Sequence, residues 1–132
     1  MVAGLFWMIE ASVLFGRNPL SIGVQVAAAA LMIAARATFG RRSFHAAANP
    51  TEGGIVSTGP YRYLRHPIYA AAIYFVWAAA LDHRALPAYA GATLVTIGGI
   101  IRMLLEERML VRRYPEYRDY MARTRRVVPF VV

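Results

Sequence analysis

Two short stretches of this sequence hold side chains that can do chemistry together. In the first, Arg62, Arg65 and His66 are interleaved with Tyr61, Tyr63 and Tyr69. Such a set can donate hydrogen bonds, hold an anion, or move a proton at an imidazole. In the second, Arg102 and Glu106 lie four residues apart and Glu107 follows directly. On a helix that spacing puts Arg102 and Glu106 on one face, with Glu107 turned away by about 100°. One carboxylate is therefore expected to face inward, and Glu106 is the one aligned with the arginine. Two readings of that face stay open. One is an ion pair at a lipid interface, worth on the order of a few tenths of a kcal/mol. The other is a functional pair turned into a bundle, since an ionisable group left facing lipid would be costly.

Residues that are missing narrow the chemistry further. The chain has no Cys, which excludes disulfides, thiolate nucleophiles, Cys-ligated zinc and iron–sulfur clusters. All fifteen basic residues are Arg, so Schiff-base chemistry and a P-loop lysine are excluded as well. No metal site is expected.

These groups must be positioned by very apolar elements. At 58% hydrophobic and 17% charged, 132 residues are too apolar for a water-soluble domain of this size. Uncharged runs cover 18–35, 66–81 and 85–101, each close to the roughly 17 to 25 residues that span a bilayer. A fourth apolar stretch is interrupted by Glu10 and is short, but tilt or thinning would let it cross. The pattern predicts an all-α integral membrane protein, one domain over 1–132, with about four transmembrane helices near 2–16, 19–38, 66–81 and 85–105. A cytoplasmic loop between the second and third of these and a helical tail over 106–132 complete it. A signal peptide is the alternative for the first stretch, but it lacks both the basic start and a cleavage site.

Arginine sets the orientation, because cytoplasmic segments collect it. Four spans would put thirteen arginines on one side and only Arg17 and Arg84 on the other. Both termini, the middle loop and the chemistry should then face the cytoplasm of a multi-pass protein, in the cytoplasmic membrane if the source is bacterial. Anionic headgroups account for the basic tail with less machinery than nucleic acid, so lipids are expected as partners and nucleic acid is not. Oligomeric state is left open by the sequence.

Residues 40–61 are rich in Gly, Pro, Asn, Ser and Thr, and so read as a structured loop. Pro67, just after this polar cluster, suits the first turn of the next helix.

The segment Gly59-Pro60-Tyr61-Arg62-Tyr63-Leu64-Arg65-His66-Pro67-Ile68-Tyr69 resembles the signature of the isoprenylcysteine carboxyl methyltransferase family, which is itself similar to the phospholipid N-methyltransferases. Arg102 to Glu107, the aromatic and acidic stretch Tyr114 to Tyr120, and Val128-Pro129-Phe130 extend the likeness, which covers roughly 40–130. The resemblance implies S-adenosylmethionine held by Gly53, Gly54, Ile55, Val56, Tyr61, His66, Pro67, Ile68, Tyr69 and Glu106. It implies Arg102 beside the methyl acceptor as the catalytic and substrate-binding residue, with Arg65 also facing substrate. The family often has a His two residues before a Leu-Val pair in the loop. Here Gly53-Gly54-Ile55-Val56 lacks it, and His45, eight residues before Gly53, is the nearest imidazole.

Methyl transfer suits these groups on physical grounds. It is an in-line displacement that removes a sulfonium charge, so a dry, well-aligned site favours it and little acid–base machinery is needed. A carboxylate acceptor needs only positioning, whereas an ammonium must first lose a proton, for which His66 is one candidate base. The expectation is an S-adenosylmethionine-dependent membrane methyltransferase acting on a carboxylate of a lipid-like or apolar acceptor. The alternatives are a phospholipid N-methyltransferase, a membrane NADPH-dependent reductase of related architecture, or a helical membrane protein without catalysis.

Overall fold

The computed structural model describes residues 1–40 and 55–128. Among these residues the fold is helical: α1 (Val2–Glu10), α2 (Pro19–Phe39), a 3-10 turn (Gly59–Arg62), α3 (Pro67–His83), α4 (Leu86–Arg113) and α5 (Tyr117–Arg123). Extended pairing among them is limited to one isolated parallel bridge between Leu64 and Arg125.

The helix ends follow from sequence. The Asn18 side chain accepts the Ser21 amide at 2.8 Å with Pro19 in the first position, a capped start, and Gly40 at φ +64° closes the other end of α2. At α3 the His66 carbonyl accepts the Ala70 amide at 2.9 Å, again with proline in the first position. α4, at 28 residues, is about 42 Å long and outlasts a hydrocarbon core of roughly 30 Å.

The segment expected to span over 2–16 is different. α1 has only nine residues, or about 13.5 Å, less than half a bilayer core. A Schellman motif ends it: Ser12 takes φ +54°, its amide bonds to Ile9 O at 2.9 Å, and the Val13 amide bonds to Met8 O at 3.0 Å. Val13 and Met8, the hydrophobic pair that accompanies such a stop, are both buried in one apolar cluster. The uncharged pattern did not reveal this stop because it uses serine where glycine is usual.

α2 and α4 are long and apolar enough to cross a membrane. Their surfaces are inverted relative to a helix in water. On α2 the polar Ser21 and Gln25 are buried, while Leu20, Val26 and Ile33 are 64 to 79% exposed. Leu94, Ile97, Ile101 and Leu105 of α4 are likewise exposed. Apolar outside and polar inside is the arrangement lipid favours.

The chain forms two units. The first comprises Met1–Ala30 and Ala71–Ile100. Its core is Met8, Val13, Val76, Ala79, Ala80, Ala88, Ala92 and Val95. Small residues bring α1 against α4: a Cβ on Gly4 would lie 2.8 Å from the Gly91 carbonyl oxygen. The connection before α2 is held by polar groups. Gln25 accepts the Gly16 amide at 2.9 Å and donates to Leu14 O at 2.9 Å and Phe75 O at 3.2 Å. The Asp82 carboxylate accepts from the amides of Arg17 and Asn18 and from the Asn18 side chain.

The second unit comprises Leu31–Ala70 and Ile101–Val132. It contains the chemistry-bearing stretches singled out above.

Candidate functional site

Backbone geometry shapes the site first. Gly59 adopts φ +55°, and a Cβ there would lie 2.6 Å from Thr38 Oγ1, itself bonded to Ala34 O. Pro60 then starts the 3-10 turn, and the buried Tyr61 ring packs 5.6 Å from Phe39. Gly59→Ala is therefore expected to destabilise the protein by roughly 1 to 2 kcal/mol through the left-handed backbone alone, with the clash adding to it. Gly23→Ala, where nothing lies within 4 Å in mid-helix, should be neutral or stabilising. Thermal unfolding of the two variants in detergent checks the contrast.

The segment after α5 returns to the turn. The Arg65 amide bonds to Arg125 O at 2.6 Å, the Arg125 amide to Tyr63 O at 3.0 Å, and the His66 amide to Arg126 O at 3.1 Å. Tyr120 Oη donates to Tyr61 O at 2.7 Å. Burial pushes the Tyr120 phenol up to about 12 and also raises Tyr117 and Tyr61, so all three stay neutral at ordinary pH.

Glu107 sits at the centre of the buried charges. Its Oε1 accepts from Arg65 Nε at 2.9 Å and lies 3.2 Å from His66 Nε2. Its Oε2 accepts from Arg126 Nε at 3.1 Å and Nη2 at 3.0 Å, which raises the Arg126 pKa further. Arg65 also donates through Nη1 to Met121 O and Thr124 O, both at 2.7 Å. A buried carboxylate surrounded by cations and a cation surrounded by carbonyls satisfy one another. The expectation that only Glu106 faces inward is corrected here. Turning about 100° from Glu106 still meets protein, because α5 and residues 124–126 cover that side.

Glu106 is the more open carboxylate, its side chain 22% exposed against 6% for Glu107. The Tyr69 hydroxyl donates to Glu106 Oε1 and accepts from Arg102 Nε at 3.1 Å. Glu106 Oε2 lies 3.7 Å from His66 Nδ1, longer than a hydrogen bond. The result is a chain of polar groups from Arg102 through Tyr69 and Glu106 to His66. A partly exposed carboxylate with acceptor capacity suits a cationic or hydroxylated ligand, and the arginine at the other end suits an anion.

The structure thus brings His66, Tyr69, Arg102 and Glu106 together. Pro67 is fully buried and serves the helix start, Tyr61 is buried behind the turn, and Ile55, Val56 and Ile68 are half-buried. The Arg65 guanidinium points into the protein. Gly53, Gly54, His45 and the terminal Pro129-Phe130 lie outside the described residues. Sequence reasoning missed Glu107, Arg126 and Tyr120. The adjacent Glu106-Glu107 pair just past the apolar run of α4 was the one signal for the first of these.

A family described as Phospholipid methyltransferase matches residues 20–117. No curated protein and no solved structure matches the chain.

Proposed function

This chain belongs to the phospholipid methyltransferase family, and from that premise we propose that it is an S-adenosylmethionine-dependent membrane methyltransferase with a lipid-borne acceptor whose anionic group meets Arg102. The observation that carries the reading is the linked set Arg102, Tyr69 and Glu106, a cation and an open carboxylate joined by one hydroxyl. When bound, S-adenosylmethionine supplies a methyl group on a sulfonium whose charge disappears on transfer.

The chain's own residues then have distinct tasks. Glu106 binds a hydroxyl or ammonium group of the cofactor, and its contact with Tyr69 fixes its rotamer. Tyr69 couples Glu106 to Arg102, so the two ligand sites share one geometry. Arg102 orients the acceptor through its anion. Arg65 and Glu107 hold the His66 turn from behind. Apolar side chains around the helix ends exclude water, which favours loss of the sulfonium charge.

In this reading α2, α3 and α4 cross the membrane and the arginine-rich side, with the site, faces the cytoplasm. Two acceptors have support. The family match favours the amine of a phospholipid headgroup, whose phosphodiester would meet Arg102; the amine must also lose a proton, and the His66 and Glu106 pair is suited to take it. The Gly59-to-Tyr69 signature favours a carboxylate on an apolar chain, which needs no base.

Purified protein in vesicles with methyl-labelled S-adenosylmethionine tests the proposal. Label in an amine headgroup supports the first acceptor and label in a base-labile ester the second. Binding of NADPH in place of S-adenosylmethionine would overturn both. Glu106→Gln keeps the shape and removes the charge, and is expected to weaken cofactor binding by about 1.5 to 3 kcal/mol in calorimetry. Unchanged affinity would return Glu106 to a structural role.

A further inference from the structure

We infer that Arg126, near the far end of the chain, is a positioning residue that fixes His66 and through it the cofactor side of the site. The inference rests on the function proposed above only for its effect on the cofactor.

Arg126 holds His66 at two places. Its carbonyl accepts the His66 amide at 3.1 Å. Its guanidinium grips Glu107, with Nε 3.3 Å from Oε1 and 3.1 Å from Oε2 and with Nη2 3.0 Å from Oε2. Glu107 Oε1 in turn lies 3.2 Å from His66 Nε2, while the other ring nitrogen faces Glu106. Main chain and imidazole of one histidine are thus both tied to one arginine, directly in the first case and through a buried carboxylate in the second. A two-point tie of this kind fixes the ring plane as well as its place.

The geometry also separates positioning from folding. The Arg126 side chain is 40% exposed, so its removal leaves no buried cation and no closed cavity. Glu107 keeps Arg65 and His66 as partners. What is lost is the fork that fixes the carboxylate on its outer side, and Lys cannot reproduce that fork.

Arg126→Ala and Arg126→Lys, with isotope-labelled histidine, make the test. In cofactor-free protein Arg126→Ala is expected to move the His66 ring-nitrogen resonances. It should raise the Kd for S-adenosylmethionine by about tenfold, the scale of one charge-assisted hydrogen bond. With a carboxylate acceptor, which needs no base, the maximal methylation rate at saturating cofactor should change by less than about threefold. Arg126→Lys should fall between, and added methylguanidinium should restore Arg126→Ala towards wild type. Unmoved His66 resonances overturn the inference. So does an equal loss in both variants that methylguanidinium does not restore. Wild-type protein that binds no S-adenosylmethionine would instead overturn the cofactor reading, with the His66 resonances still deciding the role of Arg126.

Discussion

Replacing Glu107 with alanine is expected to lower stability by about 3 to 5 kcal/mol, the cost of removing one partner from a buried ionic network. Arg65, its side chain 9% exposed, and His66, at 4%, would be left without the anion between them. Arg126 would lose the carboxylate that its guanidinium grips, while the three backbone bonds between residues 63–66 and 125–126 do not use that side chain. Thermal unfolding in detergent reads the effect directly. Glu107→Gln should be milder, because the amide can still accept from one arginine. The helical spacing turned Glu107 away from the inward face that holds Glu106. Glu107→Gln that unfolds no earlier than Glu106→Gln would restore that view.

Arg102→Ala is expected to reduce turnover by about a hundredfold, matching roughly 3 kcal/mol for leaving an acceptor anion unpaired. Cofactor binding should change far less, because the Tyr69 hydroxyl still donates to Glu106. Steady-state kinetics and calorimetry on one preparation separate the two effects. Arg102→Lys keeps the charge but not the planar fork, and should remain badly impaired. If a neutral side chain at this position preserves or raises methylation, no acceptor anion meets Arg102.

How much of this was legible depended on the range of the interaction. Local chemistry read well. Pro67 marks a helical start, and the four-residue step from Arg102 to Glu106 does bring both to one hydroxyl, whereas the 3-10 turn at Gly59–Arg62 lies in a stretch read as loop. Uncharged length located α2, α3 and α4 to within a few residues at their starts. Interactions set by chain return did not read at all. Glu107 is a hub only because Arg65 and Arg126 reach it from 42 and 19 residues away. Nothing in the spacing of the tail shows that it pairs with the turn. Ser12 hid the stop of α1 because its left-handed backbone is a tertiary choice made against its propensity.

The Asp82 contacts carry a consequence for how the protein is made. Arg17 and Asn18 find their carboxylate acceptor 65 and 64 residues further along the chain. At about 5 to 20 residues per second of synthesis, the start of α2 waits roughly 3 to 13 s for it. During that interval those exposed amides bond water. The tie between the start of α2 and the end of α3 can therefore close only after residue 82 has been made, late relative to the helix start that it caps.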